Sequence, residues 1–282
     1  MPEDLTIAVV RGLSWEALRP YAVSLTRTGF KGTKLVFVEN ISAETRHGFT
    51  RLGFTLVDRV TPPSELHPEM PPDWAYGVYR FAPVVDYLLQ ARVAHFRYII
   101  WTDVRDVIFQ TNPSDWLKDH LEPNRLVVAG LGHAIKDCPW NDPWVRAAHP
   151  PSHGEVRECE AVACGTFAGY ADAMLELFKD MYDGCMAANH PHATDQGMLN
   201  YLMRCRPYDK IARIPRTHEA FSAQWFPEKD KDPAIYPDYG FPVFDRTGGT
   251  VLTQAGLPFC VVHLYDRDPN WVAIMKAKYA QA

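Results

Sequence analysis

Short apolar runs and amphipathic stretches alternate along the first sixty residues of the chain. Leu5 to Val10 is a β-branched apolar run, the form taken by a strand buried on both faces. Ser14 follows, placed to cap a helix in which Trp15, Leu18, Tyr21, Ala22 and Leu25 recur at helical spacing. Gly29 and Gly32 close that helix, and Lys34 to Glu39 reads as a second strand. From Ser42 a further helical stretch ends near Gly53 and leads into a strand over Thr55 to Val60. This β-α-β-α-β order predicts right-handed crossovers and a parallel sheet, the first half of a doubly wound nucleotide-binding unit. Neither a GxGxxG loop nor a GxxxxGK[ST] loop is present, so dehydrogenase and P-loop chemistry lose their usual support.

A proline-rich connection runs from Pro62 to Pro72. Beyond it the pattern predicts one long helix from Asp73 or Trp74 to about Val93, with Tyr79, Phe81, Val85, Leu88 and Leu89 on or near its buried face. The strand Arg97 to Thr102 then delivers the chain into Asp103. Ligands collect at the carboxyl ends of strands in open α/β sheets, so the position of this acid is informative. Further strands are predicted over Arg125–Leu131, Glu160–Ala168 and Phe259–His263. Helices are predicted over Tyr170–Met186, Thr194–Arg204 and from Pro269 onward. His218 to Asp245 is rich in proline, aromatic and charged residues without periodicity, as functional lids and binding loops often are. With no repeat and no linker, the expectation is a single domain over residues 1–282.

Composition narrows the class. Hydrophobic residues make up 47% and charged residues 22% of the 282, enough for a soluble globular core that needs no staples. The formal net charge of -5 leaves no basic footprint, which argues against a dedicated nucleic-acid binder. The six cysteines are scattered and form no CxxC pair, so reduced thiols are expected rather than a tetrahedral zinc site. The start MPEDLTIAVVRG has too short an apolar run for a signal or membrane helix. A cytoplasmic protein without a transmembrane segment is the expectation.

Four segments carry candidate chemistry. Asp103 and Asp106 lie within one turn after a buried strand and form a hard-oxygen pair suited to Mg2+ or Mn2+; equally, they could cap a helix or pair with arginines. Arg105 between them faces either phosphates or solvent. His263 ends an apolar strand, where a neutral imidazole adds a third ligand or fills a structural place. Asp266 and Asp268 beyond it are weaker alternatives. Asp195 and Gln196 open an amphipathic helix, as a cap, a sugar-binding pair, or both. In ACGTFAGY, the small residues Cys164, Gly165, Thr166 and Gly169 either permit close approach to a ligand or make a bend.

In this order, WTDVRDVIFQ, ACGTFAG, ATDQGMLNYL and VVHLYDRDP resemble the motifs of glycosyltransferases of the GT-A fold. They look most like the retaining, glycogenin-like and bacterial lipopolysaccharide galactosyltransferase group. The resemblance implies an α/β fold with a mostly parallel central sheet flanked by helices. It implies a nucleotide-binding half at about 1–110 and an acceptor-binding half at about 111–282. Asp103 and Asp106 take the place of the DxD acids, with His263 as third metal ligand. Asp195 and Gln196 take the sugar-binding, catalytic place, and Gly165 with Thr166 lines the donor pocket. Val10, Arg11 and Gly12 would meet the nucleotide base, and Arg80 and Arg105 the donor phosphates or sugar.

The implied activity is transfer of a sugar, with retention, from a nucleoside-diphosphate sugar to a saccharide or small-molecule acceptor. UDP is preferred over GDP as the carrier, and Mn2+ or Mg2+ is the cofactor. The sequence departs from the group in three ways: two residues separate the acids, Cys164 stands where Asn is common, and the late motif lacks its lysine. Lys276 and Lys278 lie too far along to replace it. Inversion instead would need Asp195 or Asp238 as base, and Trp225, Phe226, Tyr236 and Tyr239 are candidates for stacking on an acceptor. The competing possibilities are a non-catalytic binding protein on this fold and a sugar-1-phosphate nucleotidyltransferase. VVRGLSWEAL lacks the glycine-rich loop that the latter needs.

Overall fold

The N-terminal alternation folds as its pattern predicts in the computed structural model, which describes residues 2–59, 72–191, 194–225, 231 and 239–281. Strand β1 (Glu3–Arg11) is buried from Asp4 through Val10. Ser14 caps α1 (Trp15–Arg27) by accepting from the Ala17 amide at 3.4 Å, and Ser42 caps α2 (Ala43–Arg51) in the same way at 3.1 Å. β2 (Thr33–Glu39) pairs in parallel with β1 and with β3 (Phe54–Asp58). The proline-rich connection, up to residue 71, lies outside the described residues.

The single long helix is in fact two, α3 (Pro72–Tyr79) and α4 (Ala82–Gln90). Pro83 sits in the first turn of α4, where it has no amide hydrogen to return to Tyr79, so the helix restarts there. Arg80 falls at the break. β4 (Phe96–Thr102) and β5 (Val107–Phe109) flank the turn that carries Asp103 and Asp106.

Beyond them come α5 (Pro113–His120), β6 (Leu126–Ala134), α6 (Asn141–Ala148), α7 (His153–Val156), β7 (Glu160–Tyr170), α8 (Ala171–Ala188) and α9 (Asp195–Leu202). The chain ends with α10 (Tyr208–Ile211), β8 (Ala212–Arg213), β9 (Ser222–Gln224), the hairpin β10 (Val243–Asp245) and β11 (Thr250–Leu252), β12 (Val261–His263) and α11 (Pro269–Lys278).

The main sheet has the order β3-β2-β1-β4-β7-β6-β8. It is mostly parallel, with β7 antiparallel to both its neighbours. A small sheet, β5-β12-β9, closes over one end. Successive side chains of β4 enter opposite cores, Tyr98 and Ile100 on one face and Ile99 and Trp101 on the other. Both faces are therefore covered, as the unbroken apolar runs require. Among the described residues, no helix is long and apolar enough to cross a membrane.

Trp101 anchors the second core against Phe81, Phe167 and Phe178, with ring centroids 5.1 to 5.9 Å away. Phe178 is fully buried and touches all three of the other rings. Phe178→Ala is expected to cost about 3–5 kcal/mol in urea unfolding. A loss below about 1 kcal/mol would show that this cluster does not hold the sheet to α8.

Candidate metal centre

The end of β4 is pinned across to β7. The Trp101 indole N–H donates to Cys164 O at 3.1 Å, and the Asp103 amide donates to Gly165 O at 3.0 Å. The following turn is held by β5, which pairs antiparallel with β12 so that Val107 faces His263. This pairing brings a histidine from the end of the chain to the two acids. His263 Nε2 lies 3.7 Å from Asp103 Oδ2 and 3.9 Å from Asp106 Oδ2. One ligand atom from each of the three residues falls within 4.8 Å of the others.

Gly165 makes room for this meeting. A Cβ there would overlap the His263 imidazole and come within 2.9 Å of Asp103 Oδ2. Two carboxylates with one imidazole nitrogen are a donor set that fits Mn2+ or Mg2+. The orientation of the imidazole is also fixed. Its Nδ1 lies 2.8 Å from Gln224 Oε1, which can only accept, so Nδ1 carries a hydrogen and Nε2 is the atom turned toward the acids. Gln224 is fully buried, directly across the strand pair from His263, and its own amide donates to Ser222 Oγ at 3.1 Å.

Arg80 lies between two acids. Its Nη1 binds Asp103 Oδ1 at 2.9 Å and its Nη2 pairs with Asp195. The guanidinium carbon sits 5.0 Å from the centre of the Trp101 ring. Burial alone would weaken the charge on Arg80, but Asp195 and Asp103 hold its pKa well above the usual arginine value. Asp103 feels burial in the opposite direction, yet Arg80 and then His263 pull its carboxyl below the ordinary range. Burial pushes Asp195 up, against the pull of Arg80. Burial likewise raises Asp106, with Asp103 and Asp266 adding to the shift and His263 opposing it. Arg80 thus serves Asp103 and Asp195, while Asp106 lies beside His263 with Asp103 and Asp266 nearby.

Other expected site residues are placed differently. Thr166 is fully buried, donates its hydroxyl to Gly165 O, and does not line the cavity around the metal cluster. Side chains alternate across β7, and its neighbour Gly165 takes the cavity side. The Gln196 carboxamide is committed to protein partners: it accepts from the Cys164 amide at 2.7 Å and donates to Asn141 Oδ1 at 2.8 Å and to Val162 O. Val10 is fully buried, while Arg11 and the positive-φ Gly12 are exposed at the end of β1 and do not themselves line the cavity around the metal cluster.

Cys164 Sγ lies 3.5 Å from Arg80 Nη2. Arg105 is half-exposed on the cavity wall and pairs with Asp266 at 3.1 Å. Asp268 caps α11 instead. Lys276 pairs with Glu16, and Lys278 donates to Gly248 O and Gly249 O. Phe226, Tyr236 and Asp238 lie outside the described residues. The cavity itself, of about 800 Å³, runs from the three-residue cluster past Arg80 and Asp195 to Trp140, Trp144 and Trp225. Gln224, Asn141 and the Trp140–Trp144 pair carry no sequence signal beyond their residue type.

The raised carboxyl of Asp106 has a consequence for the metal-free protein. A pKa above the unfolded value contributes stability below the usual carboxylate range and loses it as pH rises through the folded value. Ionised Asp106 is therefore a net cost at neutral pH. Asp106→Asn is expected to raise the thermal midpoint by a few degrees at neutral pH, with the gain shrinking as pH falls below the carboxylate range. A lower midpoint for the variant at neutral pH would contradict this.

No family profile matches the sequence, and no curated protein matches it either. Solved structures do match. The galactosyltransferase LgtC, in complex with donor and acceptor sugar analogues, superposes with a TM-score of 0.59 at 13% identity, covering 99% of this chain and 97% of that one. Mouse xyloside xylosyltransferase 1 in its apo form gives 0.54 at 12% identity over 93% and 97%. The bifunctional glycosyltransferase WbbM gives 0.54 at 11% identity over 93% of this chain and 45% of that longer one. The chain has the GT-A fold of these glycosyltransferases.

Proposed function

We propose that this protein is a divalent-cation-dependent glycosyltransferase that moves a sugar from a nucleoside-diphosphate donor to an acceptor hydroxyl. The observation that carries this reading is the cluster of Asp103, Asp106 and His263 at the carboxyl end of β4, facing a cavity large enough for both substrates. A Mn2+ or Mg2+ ion held there supplies Lewis-acid stabilisation of the departing diphosphate. Arg105 and Arg267 on the same wall add positive charge for the phosphates.

Asp195 faces the transferred sugar. Its carboxylate is held by Arg80 and by the Gln196 amide, which donates to Oδ1 at 2.7 Å. Fixed in this way, it accepts sugar hydroxyls and stabilises positive charge at the anomeric carbon. Gln196 positions Asp195 rather than binding sugar, because its carboxamide already ties β7 to Asn141. Asp195 with Gln196 supports transfer with retention, by likeness to the DQ pair of retaining enzymes. UDP is the preferred carrier, its base meeting the end of β1 at Arg11 and Gly12. The nucleotide half spans about 1–110 and the acceptor half about 111–282, with the cavity wall drawn from both. Free thiols at all six cysteines accord with a cytoplasmic, reducing setting.

Calorimetric titration of UDP is expected to show binding that depends on Mn2+. Asp103→Asn and Asp106→Asn should abolish the metal enhancement and the release of UDP from a UDP-sugar. Gln224→Leu frees the His263 ring to turn and should weaken Mn2+ binding by about 10–100-fold. UDP binding that is equal with and without divalent cations, in a correctly folded protein, would overturn the proposal.

A further inference from the structure

Trp140 is 66% exposed, yet it lies on the wall of the cavity that holds Asp103, Asp106 and His263. A single exposed apolar side chain is ordinary, but a contiguous apolar patch on a cavity wall marks a place where something binds. Leu89, Val243 and Leu257 are the other strongly exposed large apolar residues among those described, and none of them lines this cavity. Trp144 lies one helical turn further on, its ring centroid 6.3 Å from that of Trp140 with the planes 33° apart. The two indoles present a shallow, nearly continuous aromatic surface.

The turn that carries Trp140 is rigid and is keyed to the metal centre. Its backbone is held by bonds from Cys138 N to Ile135 O at 3.1 Å, Asp142 N to Cys138 O at 3.2 Å and Trp144 N to Trp140 O at 3.4 Å. Asn141, 3% exposed, donates to Cys138 Sγ at 3.1 Å and accepts from Gln196 at 2.8 Å. The same Gln196 carboxamide accepts from the Cys164 amide, next to Gly165. One side chain therefore fixes the aromatic surface relative to both Asp195 and the metal ligands.

We propose that Trp140, with Trp144 beside it, is the platform on which the acceptor stacks, and that the acceptor is a saccharide. This rests on the transferase reading above and names its second substrate class. A sugar ring offers a flat C–H face for an indole and a rim of hydroxyls for polar partners. Both are provided here, since His133, Asp137 and Arg267 share the wall with the two tryptophans. An acyl chain would call for a closed apolar groove, which this wall is not. A second cavity of about 440 Å³ adjoins along His133 and Asp137 and is lined by Lys136, Glu158 and Arg216. It continues the polar surface away from the metal, with room for further units of a saccharide.

The test is saturation-transfer NMR on the full chain with diamagnetic Mg2+ and UDP. The probes are the methyl glycosides of glucose, galactose and N-acetylglucosamine, a serine-containing peptide and octanol. At least one glycoside is expected to bind. Trp140→Ala should weaken it about tenfold or more without lowering the thermal midpoint, because the side chain is exposed. Trp140→Phe should keep most of the binding, whereas Trp140→Leu, apolar but without a ring face, should not.

Binding of the peptide or octanol in place of any glycoside would overturn the proposal. So would a Trp140→Ala protein that binds glycosides as tightly as wild type, or a wild type that takes UDP and Mg2+ but no glycoside. A wild type that binds glycoside through Trp140 but takes no UDP with Mn2+ would uphold the platform and sink the transferase reading alone.

Discussion

The pairing of the Arg80 guanidinium with two acids, Asp103 and Asp195, while Asp106 lies buried nearby without it, is the constraint on which the rest of the site depends. A buried carboxylate needs a compensating charge. Arg80 reaches Asp103 and Asp195 and leaves Asp106, 6% exposed, beside the imidazole of His263. A fold under selection for stability alone has no reason to keep this arrangement. A bound cation supplies one, and the surrounding details accord with it. Gly165 leaves the space in which the three ligands approach one another, and Gln224 turns the imidazole Nε2 toward the acids.

The same constraint shapes the parts of the fold around it. The break between α3 and α4 lets Arg80 sit between the two halves of the acidic cluster. The short strands β5, β9 and β12 bring His263 and Gln224 onto the end of β4. Gln196, rather than contacting substrate, ties the metal-side strand to the turn that presents Trp140. Metal ligands, sugar carboxylate and aromatic surface are thus held as one unit by buried hydrogen bonds, as a site that must fix two substrates requires.

Much of this could be read from the chain. The β-branched run at Leu5–Val10, the caps at Ser14 and Ser42, and the strand entering Asp103 are local signals, and local physics decided them. Asp103 and His263 are legible because each lies at the end of an apolar strand, and Asp106 because it follows Asp103 within one turn. Other features were decided by contacts distant in sequence. β5, β9 and β12 have three residues each, too few for any periodicity to announce them. Gln224 therefore gave no sign of its role. Thr166 and Gly165 are neighbours, and only the sheet register shows which of them faces the cavity. Gln196 lies in the first turn of α9, which Thr194 caps, and its commitment to Asn141 and Cys164 depends on packing between α9, α6 and β7. Pro83 was legible, but an otherwise good helical pattern concealed the restart that it imposes.

The most direct test of the metal centre is crystallographic. Crystals grown with Mn2+ and UDP, measured at a wavelength where manganese scatters anomalously, should show one strong peak among Asp103, Asp106 and His263 Nε2. Ligand distances of about 2.0–2.3 Å are expected. UDP in the cavity with no anomalous peak there, or a peak held by other residues, would contradict the assignment.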